Sequence, residues 1–197
     1  MIRIGILGNI GSGKSFISKL FNSPVFNADK EVNYIYKNNK NCFIKLKKKL
    51  PKYIKSFPIK KSELIKAVST NQKNIKIISS IVHPVVRKRM IEFLYKKRKS
   101  EIVVLDIPLL IENKLNKKGD VLIFVKANNS KILKRLRKRK NYNNKILQTL
   151  KQNQTELLKK RKLANFIIDN NFSANIMKRK VKILKSKILN ERSYPRY

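Results

Sequence analysis

Five short runs of apolar residues divide the chain into segments that we expect to be buried β-strands. The runs show little alternation of apolar and polar positions, which is typical of parallel strands that are covered on both faces. They span residues 2–7, 24–27, 101–106, 121–125 and 164–169. Helical patterns separate most of these runs, so the sequence predicts an α/β fold built on a parallel sheet.

A long stretch of helical spacing, residues 30–100, lies between the second and third predicted strands. Its clearest apolar stripe predicts a helix over residues 75–95. The stripe consists of Ile77, Ile78, Ile81, Val82, Val85 and Val86. Pro84 interrupts it, which predicts either a kink or one helix that ends near His83 and another beyond it. We expect the whole stretch to be a helical insertion between two strands of the sheet.

Further helices are predicted in the second half of the chain and within the insertion. They cover residues 31–36, 43–50, 62–68, 130–139, 144–163 and 174–189, with Ser62 and Ser130 as candidate N-terminal caps. Residues 190–197 are predicted to be a loose tail.

Length and composition narrow the class of protein. The chain has 197 residues, 42% of them hydrophobic, which suits one domain or one domain with an insertion. No apolar run approaches the roughly 18 residues of a membrane span, and we expect no membrane partner. Cys42 is the single cysteine, which excludes a disulfide framework. These features favour a soluble, cytoplasmic protein, and its oligomeric state is predicted to be a monomer or weak homo-oligomer.

The charge balance is extreme, because 49 basic residues face 11 acidic ones and the formal net charge is +38. Such a charge attracts nucleic acid or another polyanion. Lysine, asparagine and isoleucine are all abundant, however, and the lysines are spread along the whole chain. We therefore favour compositional drift with a general benefit for anionic substrates, and no specific nucleic-acid partner, since no nucleic-acid-binding module accompanies the charge.

The strongest chemical signal follows the first predicted strand. Residues 8–15 match the phosphate-loop pattern G-x-x-x-x-G-K-[ST] between a strand and a helix. Glycine permits the positive φ angles that turn backbone N–H groups inward, and a helix N-terminus favours anions. This motif predicts ATP as the bound nucleotide, with Lys14 on the β- and γ-phosphates and Ser15 on Mg²⁺. The predicted nucleotide-binding residues are Gly8, Asn9, Ile10, Gly11, Ser12, Gly13, Lys14, Ser15 and Phe16.

Two aspartates lie where ligands of a parallel sheet bind, at the carboxyl ends of predicted strands. Asp29 follows the second strand and Asp106 ends the third. One carboxylate can deprotonate an attacking hydroxyl while the other helps to hold Mg²⁺. A turn or helix-capping role is the structural alternative for both, because each stands where a strand gives way to other structure.

Basic side chains supply the remaining candidates. Arg135 and Arg139 are one helical turn apart and could stabilise the charge of a transferring phosphoryl group from a lid. Their alternative is a solvated basic face. His83, the single histidine, and Arg87 could line a second-substrate site, although a lone histidine on an apolar stripe is more often structural.

Together these residues resemble the dephospho-CoA kinase family over nearly the whole chain. The resemblance is carried by residues 6–15, 26–29, 83–87, 104–112 and 163–170, by Arg135, Leu136 and Arg139, and by Gln154. The segments His83-Pro84-Val85-Val86-Arg87 and Asp106-Ile107-Pro108-Leu109-Leu110 are more specific than the phosphate loop.

The resemblance implies a three-layer P-loop kinase that phosphorylates the ribose 3′-hydroxyl of dephospho-CoA with Mg²⁺-ATP, the last step of coenzyme A synthesis. Residues 1–29 and 101–197 would be the nucleotide-binding core, with a lid around 135–160, and residues 30–100 the acceptor-binding insertion. Asp29 would be the catalytic base. Lys14, Arg135 and Arg139 would stabilise the transferring group, and Ser15 and Asp106 would organise the metal. The acceptor would contact His83, Arg87, Asp106, Pro108 and Leu109.

Three departures from the family pattern bear on activity. Phe16 stands where the family usually has a threonine that reaches the α-phosphate, while Asn27 and Asn165 replace aspartates. The alternative functions are another small-molecule or nucleoside monophosphate kinase, and a nucleic-acid-binding NTPase.

Overall fold

The computed structural model describes residues 1–138 and 156–193. Five strands form one parallel sheet, ordered β2-β3-β1-β4-β5. The strands are β1 (Ile2–Gly8), β2 (Val25–Asn27), β3 (Ile102–Asp106), β4 (Val121–Ala127) and β5 (Phe166–Asn170). In register, Ile2 of β1 pairs with Ile102, and Gly8 pairs with Val125. The predicted α/β class and parallel sheet are confirmed.

The chain divides into two compact units. The described part of the first, the sheet unit, comprises residues 1–26, 99–138 and 156–193; the second, the helical unit, comprises residues 27–98. Helices of the sheet unit are α1 (Lys14–Leu20), α6 (Asn129–Arg137), α7 (Leu157–Leu163) and α8 (Ala174–Ser193). Those of the helical unit are α2 (Ala28–Asn38), α3 (Lys40–Lys49), α4 (Lys61–Thr70) and α5 (Lys73–Lys96).

Both faces of the sheet are covered, as alternating residues of β1 show. Ile4 and Ile6 are fully buried in a cluster with residues of α1 and α8. Because side chains alternate along a strand, Gly5 faces the other side. There Leu110 approaches so closely that a Cβ on Gly5 would lie 2.5 Å from its side chain. Helix α7 also packs on β1 and β4, which completes a three-layer α/β/α arrangement.

The helical unit is organised around α5, against which α2, α3 and α4 pack. Its buried positions recur every four residues, at Asn74, Ile78, Val82, Val86 and Met90. The helix runs unbroken through Pro84, so the predicted alternative of two helices meeting near His83 is wrong. The buried side chains of Val82 and Val86, two residues either side of the proline, hold the helix in place despite the missing N–H group.

Several helix ends differ from their predictions. Helix α4 begins at Lys61 without a side-chain cap, and α6 is capped by Asn128, whose side chain accepts a hydrogen bond from the Ser130 N–H at 2.9 Å. Helix α8 continues to Ser193, so residues 190–193 are not a loose tail. Most of the predicted helix over 144–163 and of the lid around 135–160 lies outside the described residues. Among the residues described, no helix is long and apolar enough to cross a membrane.

Candidate active site

The loop between β1 and α1 has the backbone geometry of a phosphate-binding loop. Gly8, Gly11 and Gly13 adopt φ angles of 143°, 83° and 95°, a region that side chains disfavour. The Ser12 N–H donates to the Asn9 carbonyl at 3.2 Å, which closes the turn, and the Asn9 side chain accepts from the Ile10 N–H at 2.7 Å. The glycines therefore stand where the sequence predicted an inward-curled loop.

Polar groups of the loop are arranged to receive an anion. Lys14 Nζ donates to the carbonyl oxygens of Gly8 at 3.1 Å and Asn9 at 2.9 Å, so its ammonium group lies over the loop. The Ser12 hydroxyl is buried and has no hydrogen-bond partner among the described residues. Ser15 is exposed in the first turn of α1. Phosphate oxygens would give the Lys14 ammonium group an acceptor of opposite charge and the Ser12 hydroxyl group a hydrogen-bond acceptor.

Asn170, at the end of β5, supports this loop through a hydrogen bond. Asn170 is buried, and its Nδ2 donates to the Ser12 carbonyl at 2.8 Å while its Oδ1 accepts from the Phe172 N–H at 2.8 Å. A Cβ on Gly13 would lie only 2.4 Å from Asn170 Nδ2. Gly13 is thus required by the close approach of Asn170 as well as by its own φ angle.

Helix α6 packs directly against the loop and brings Arg135 near it. A Cβ on Gly11 would lie about 3.0–3.1 Å from side-chain atoms of Ile132 and Leu136. On an exposed face of the same helix, the Arg135 guanidinium stacks 4.5 Å from the centre of the Phe172 ring. The ring of Phe172 thus lies next to both the Arg135 guanidinium group and Gly13. Arg139 lies outside the described residues.

The two candidate aspartates differ in exposure. Asp106 ends β3 and is buried, whereas Asp29 is an exposed residue in the first turn of α2, directly after β2. Pro108 and Leu109 are half-buried in the turns that follow Asp106. Because β1 and β3 are parallel, Asp106 lies at the same end of the sheet as the phosphate loop, the carboxyl ends of the strands.

His83 and Arg87 share a groove on α5 in the helical unit. The groove has a volume of about 630 Å³, and its lining includes Ser80, Pro84 and Lys88. Burial lowers the pKa of His83 below its ordinary value of 6.5, and the positive charge of Arg87 lowers it further. Because Pro84 has no N–H group, it cannot donate to the Ser80 carbonyl in the same groove. The groove thus offers a ligand an imidazole with a lowered pKa and the cationic side chains of Arg87 and Lys88.

Of the three residues that differ from the family pattern, Asn27 and Asn165 make hydrogen bonds that an aspartate could also make. Asn27 caps α2 by accepting from the Lys30 N–H at 2.8 Å, and asparagine and aspartate are equally good caps. Asn165 accepts from the Leu122 N–H at 2.8 Å through its side-chain oxygen, which a carboxylate would also supply. Phe16 is different. Its ring is 39% exposed and its N–H donates to the Gly13 carbonyl at 3.0 Å, so that amide is already used within the helix.

Sequence reasoning missed the supports of the loop. Asn170 is the last residue of the segment 163–170 that resembles the family, and no sequence pattern marks Phe172. Their partners Ser12 and Arg135 are far away in sequence, and no local pattern reports such a contact. The one available signal was the position of Asn170 at the carboxyl end of a predicted strand, the edge at which ligands bind.

The fold and the loop together define a P-loop kinase. A structure from Thermus thermophilus, TT1252, superimposes with a TM-score of 0.75 at 27% identity, covering 94% of this chain and 97% of that one. Dephospho-CoA kinase from Campylobacter jejuni gives a TM-score of 0.62 at 20% identity over 94% and 96% of the two chains. Shikimate kinase from Acinetobacter baumannii shares the fold with a TM-score of 0.55, at 15% identity over 97% and 94%.

Sequence comparison narrows this class to one family. The dephospho-CoA kinase family model matches residues 2–175. Dephospho-CoA kinase of Wolbachia pipientis wMel is 33% identical over 184 residues, which cover 91% of this chain and 94% of that protein. The chain therefore belongs to the dephospho-CoA kinase family, and it is a phosphotransferase.

Proposed function

We propose that this chain transfers the γ-phosphoryl group of ATP to the ribose 3′-hydroxyl of dephospho-CoA and releases coenzyme A and ADP. ATP-dependent phosphorylation of dephospho-CoA is the activity that membership of the family carries. The observation that carries the proposal within the structure is the phosphate loop, in which three glycines adopt positive φ angles and the Lys14 ammonium group donates to the carbonyls of Gly8 and Asn9.

The loop and its neighbours would bind and neutralise the triphosphate. Lys14 would exchange its two carbonyl partners for β- and γ-phosphate oxygens, and the loop amides would bind the remaining ones. Arg135, which α6 holds beside the loop, would offset the charge that develops on the transferring group. We assign the same role to Arg139 on its position in the sequence.

Asp29 is proposed as the general base. Its carboxylate would accept the proton of the 3′-hydroxyl while the ribose oxygen bonds to the γ-phosphorus. The bond from that phosphorus to the bridging oxygen then breaks, and its electron pair leaves with ADP. Its carboxylate is exposed in the first turn of α2, directly after β2.

Mg²⁺ is the proposed cofactor, and the residues present fit it. The Ser15 hydroxyl and the Asp106 carboxylate are the hard oxygen donors that this ion prefers. No group of three or more potential metal ligands occurs within residues 1–138 and 156–193. Few protein ligands suit an ion that is held largely by substrate phosphates and water. When bound, it would shield the charge of the triphosphate.

The acceptor is proposed to contact the groove of His83 and Arg87 and the segment that contains Asp106, Pro108 and Leu109. Phosphate groups of dephospho-CoA would pair with Arg87, since a guanidinium group binds phosphate in a bidentate manner. Residues 30–100 would therefore be the acceptor-binding part. We further propose that the protein is cytoplasmic and is a monomer or weak homo-oligomer.

A coupled ADP-release assay tests the proposal. ADP release should require dephospho-CoA, and neither nucleoside monophosphates nor shikimate should replace it. Asp29→Asn should lower kcat by at least about a hundredfold and change the Kd of ATP less than about threefold. Asp169→Asn is a matched control, because Asp169 is also an exposed carboxylate at a strand end and pairs only loosely with Lys126, at 3.5 Å. Full turnover by Asp29→Asn, or equal ADP release without acceptor, would refute the assignment.

A further inference from the structure

A buried ion pair in the sheet unit has no role in the proposed chemistry. Lys160 of α7 is 1% exposed, and its Nζ lies 2.7 Å from Oε1 of Glu112, whose side chain is 12% exposed. Burying a lysine ammonium group is unfavourable unless the charge is paired. An apolar pair of similar volume would stabilise the fold at least as well. The pair therefore calls for an explanation other than stability.

The position of Glu112 suggests one. It lies in the run of turns, residues 108–114, that follows Asp106 and includes Pro108 and Leu109. The turns are tied by hydrogen bonds from the Asn113 N–H to the Leu109 carbonyl at 3.1 Å and from the Leu115 N–H to the Leu110 carbonyl at 2.9 Å. A displacement of Glu112 would thus be transmitted to Leu109 and to the end of β3.

Lys160, the partner of Glu112, belongs to α7, a helix that packs against the sheet. Helix α7 packs on β1 and β4, the central strands that lead to the phosphate loop and to α6. The Lys160 N–H also donates to the Glu156 carbonyl at 3.1 Å, within the first turn of α7. A short ionic contact from this helix sets both the distance and the direction of Glu112, which apolar packing alone specifies less sharply.

We propose that Lys160 and Glu112 form a positioning pair that holds the Asp106–Leu109 segment in the geometry required by the acceptor. The inference rests on the proposed assignment of Asp106, Pro108 and Leu109 to the acceptor and metal side. The pair touches no reacting atom. Its loss should disturb acceptor use and leave ATP binding to the β1–α1 loop intact.

The test uses the full-length chain and separates position from stability. Glu112→Gln and Lys160→Met each leave a buried partner unpaired, so both can lower stability. The double variant Lys160→Met with Glu112→Leu removes both charges and should restore the melting temperature. The control is Val181→Ala, which opens a cavity in the buried cluster that α8 forms with Ile4 and Ile6.

The pair is a positioning device if the Lys160/Glu112 double variant raises KM for dephospho-CoA about tenfold or lowers kcat by a similar factor. The Kd of ATP should stay within about twofold, and Val181→Ala should show neither kinetic change although it lowers the melting temperature. Unchanged acceptor KM and kcat in the Lys160/Glu112 double variant overturns the inference, as does a kinetic change that the control shares. If the wild-type chain fails to phosphorylate dephospho-CoA, the proposed function fails instead, a result visible before any variant is made.

Discussion

The substitution Asn170→Asp tests whether β5 holds the phosphate loop in its binding conformation. The change is nearly isosteric and affects one of two hydrogen bonds. The Oδ1 position still accepts from the Phe172 N–H, but the Nδ2 that donates to the Ser12 carbonyl becomes a carboxylate oxygen. The variant therefore removes the bond to the loop and places two acceptor oxygens against each other.

The expected loss of ATP affinity follows from the burial of the Asn170 side chain. Asn170 is 4% exposed and its bond to the Ser12 carbonyl is 2.8 Å long. A buried carbonyl group that loses its donor costs about 1–3 kcal/mol. If the whole cost falls on the ATP-bound form, the Kd of ATP rises by about five- to 150-fold. Repulsion between the introduced carboxylate and the bound phosphates acts in the same direction.

The assay is direct measurement of ATP binding by calorimetry, combined with thermal unfolding. Asn171→Asp is the control, because it introduces the same charge one residue away at an exposed position whose side chain bonds only to the Ser173 N–H. The control should leave the Kd of ATP within about twofold. An Asn170→Asp protein that is destabilised and yet binds ATP with the wild-type Kd would refute the reasoning, since stability and loop geometry would then be separable.

Two further predictions concern Phe16 and His83. Phe16→Thr should lower the KM for ATP about threefold to tenfold by restoring a hydroxyl donor near the α-phosphate. Phe16→Ala, which removes the ring without adding a hydroxyl group, should not lower this KM. Equal KM values for the two variants would contradict the prediction. For His83, whose pKa is lowered in the folded state by burial and by Arg87, the unfolded chain binds the proton more tightly. The stability from its neutral form is therefore present above pH 6.5 and is lost as pH falls through the lower folded pKa. Melting temperatures between pH 7.5 and about 5 should consequently fall more steeply for the wild type than for His83→Gln, and parallel curves would contradict this.

Local patterns were enough to predict the sheet and the phosphate loop. Buried parallel strands read as unbroken apolar runs, and four of the five glycines of the chain fall within residues 5–13. At Gly8, Gly11 and Gly13 the structure shows the positive φ angles that the motif requires. These features depend on neighbours in sequence, which a single chain displays directly.

Features that depend on distant or competing neighbours were not predictable. Asn170 supports Ser12 across 158 positions of the chain, and no periodicity links the two. The cap of α6 is a case of local competition, because Asn128 and Ser130 are both good capping residues. In the structure the Ser130 hydroxyl donates to the Asn128 side chain at 2.6 Å, so Asn128 is the cap and Ser130 supports it.

The scarcity of acidic residues makes each retained carboxylate informative. The chain has 11 acidic residues against 49 basic ones, and several of the carboxylates hold buried or structural contacts. Glu63 accepts hydrogen bonds from the Ser56 N–H and hydroxyl at 3.2 and 3.0 Å, and Asp120 and Glu112 sit in buried ion pairs. Asp29, by contrast, is exposed in the first turn of α2, where the helix dipole stabilises a carboxylate by about 0.3–1 kcal/mol. The melting temperature of the Asp29→Asn protein would separate a loss of turnover from a loss of folded protein, which makes this residue the sharpest single test of the proposed chemistry.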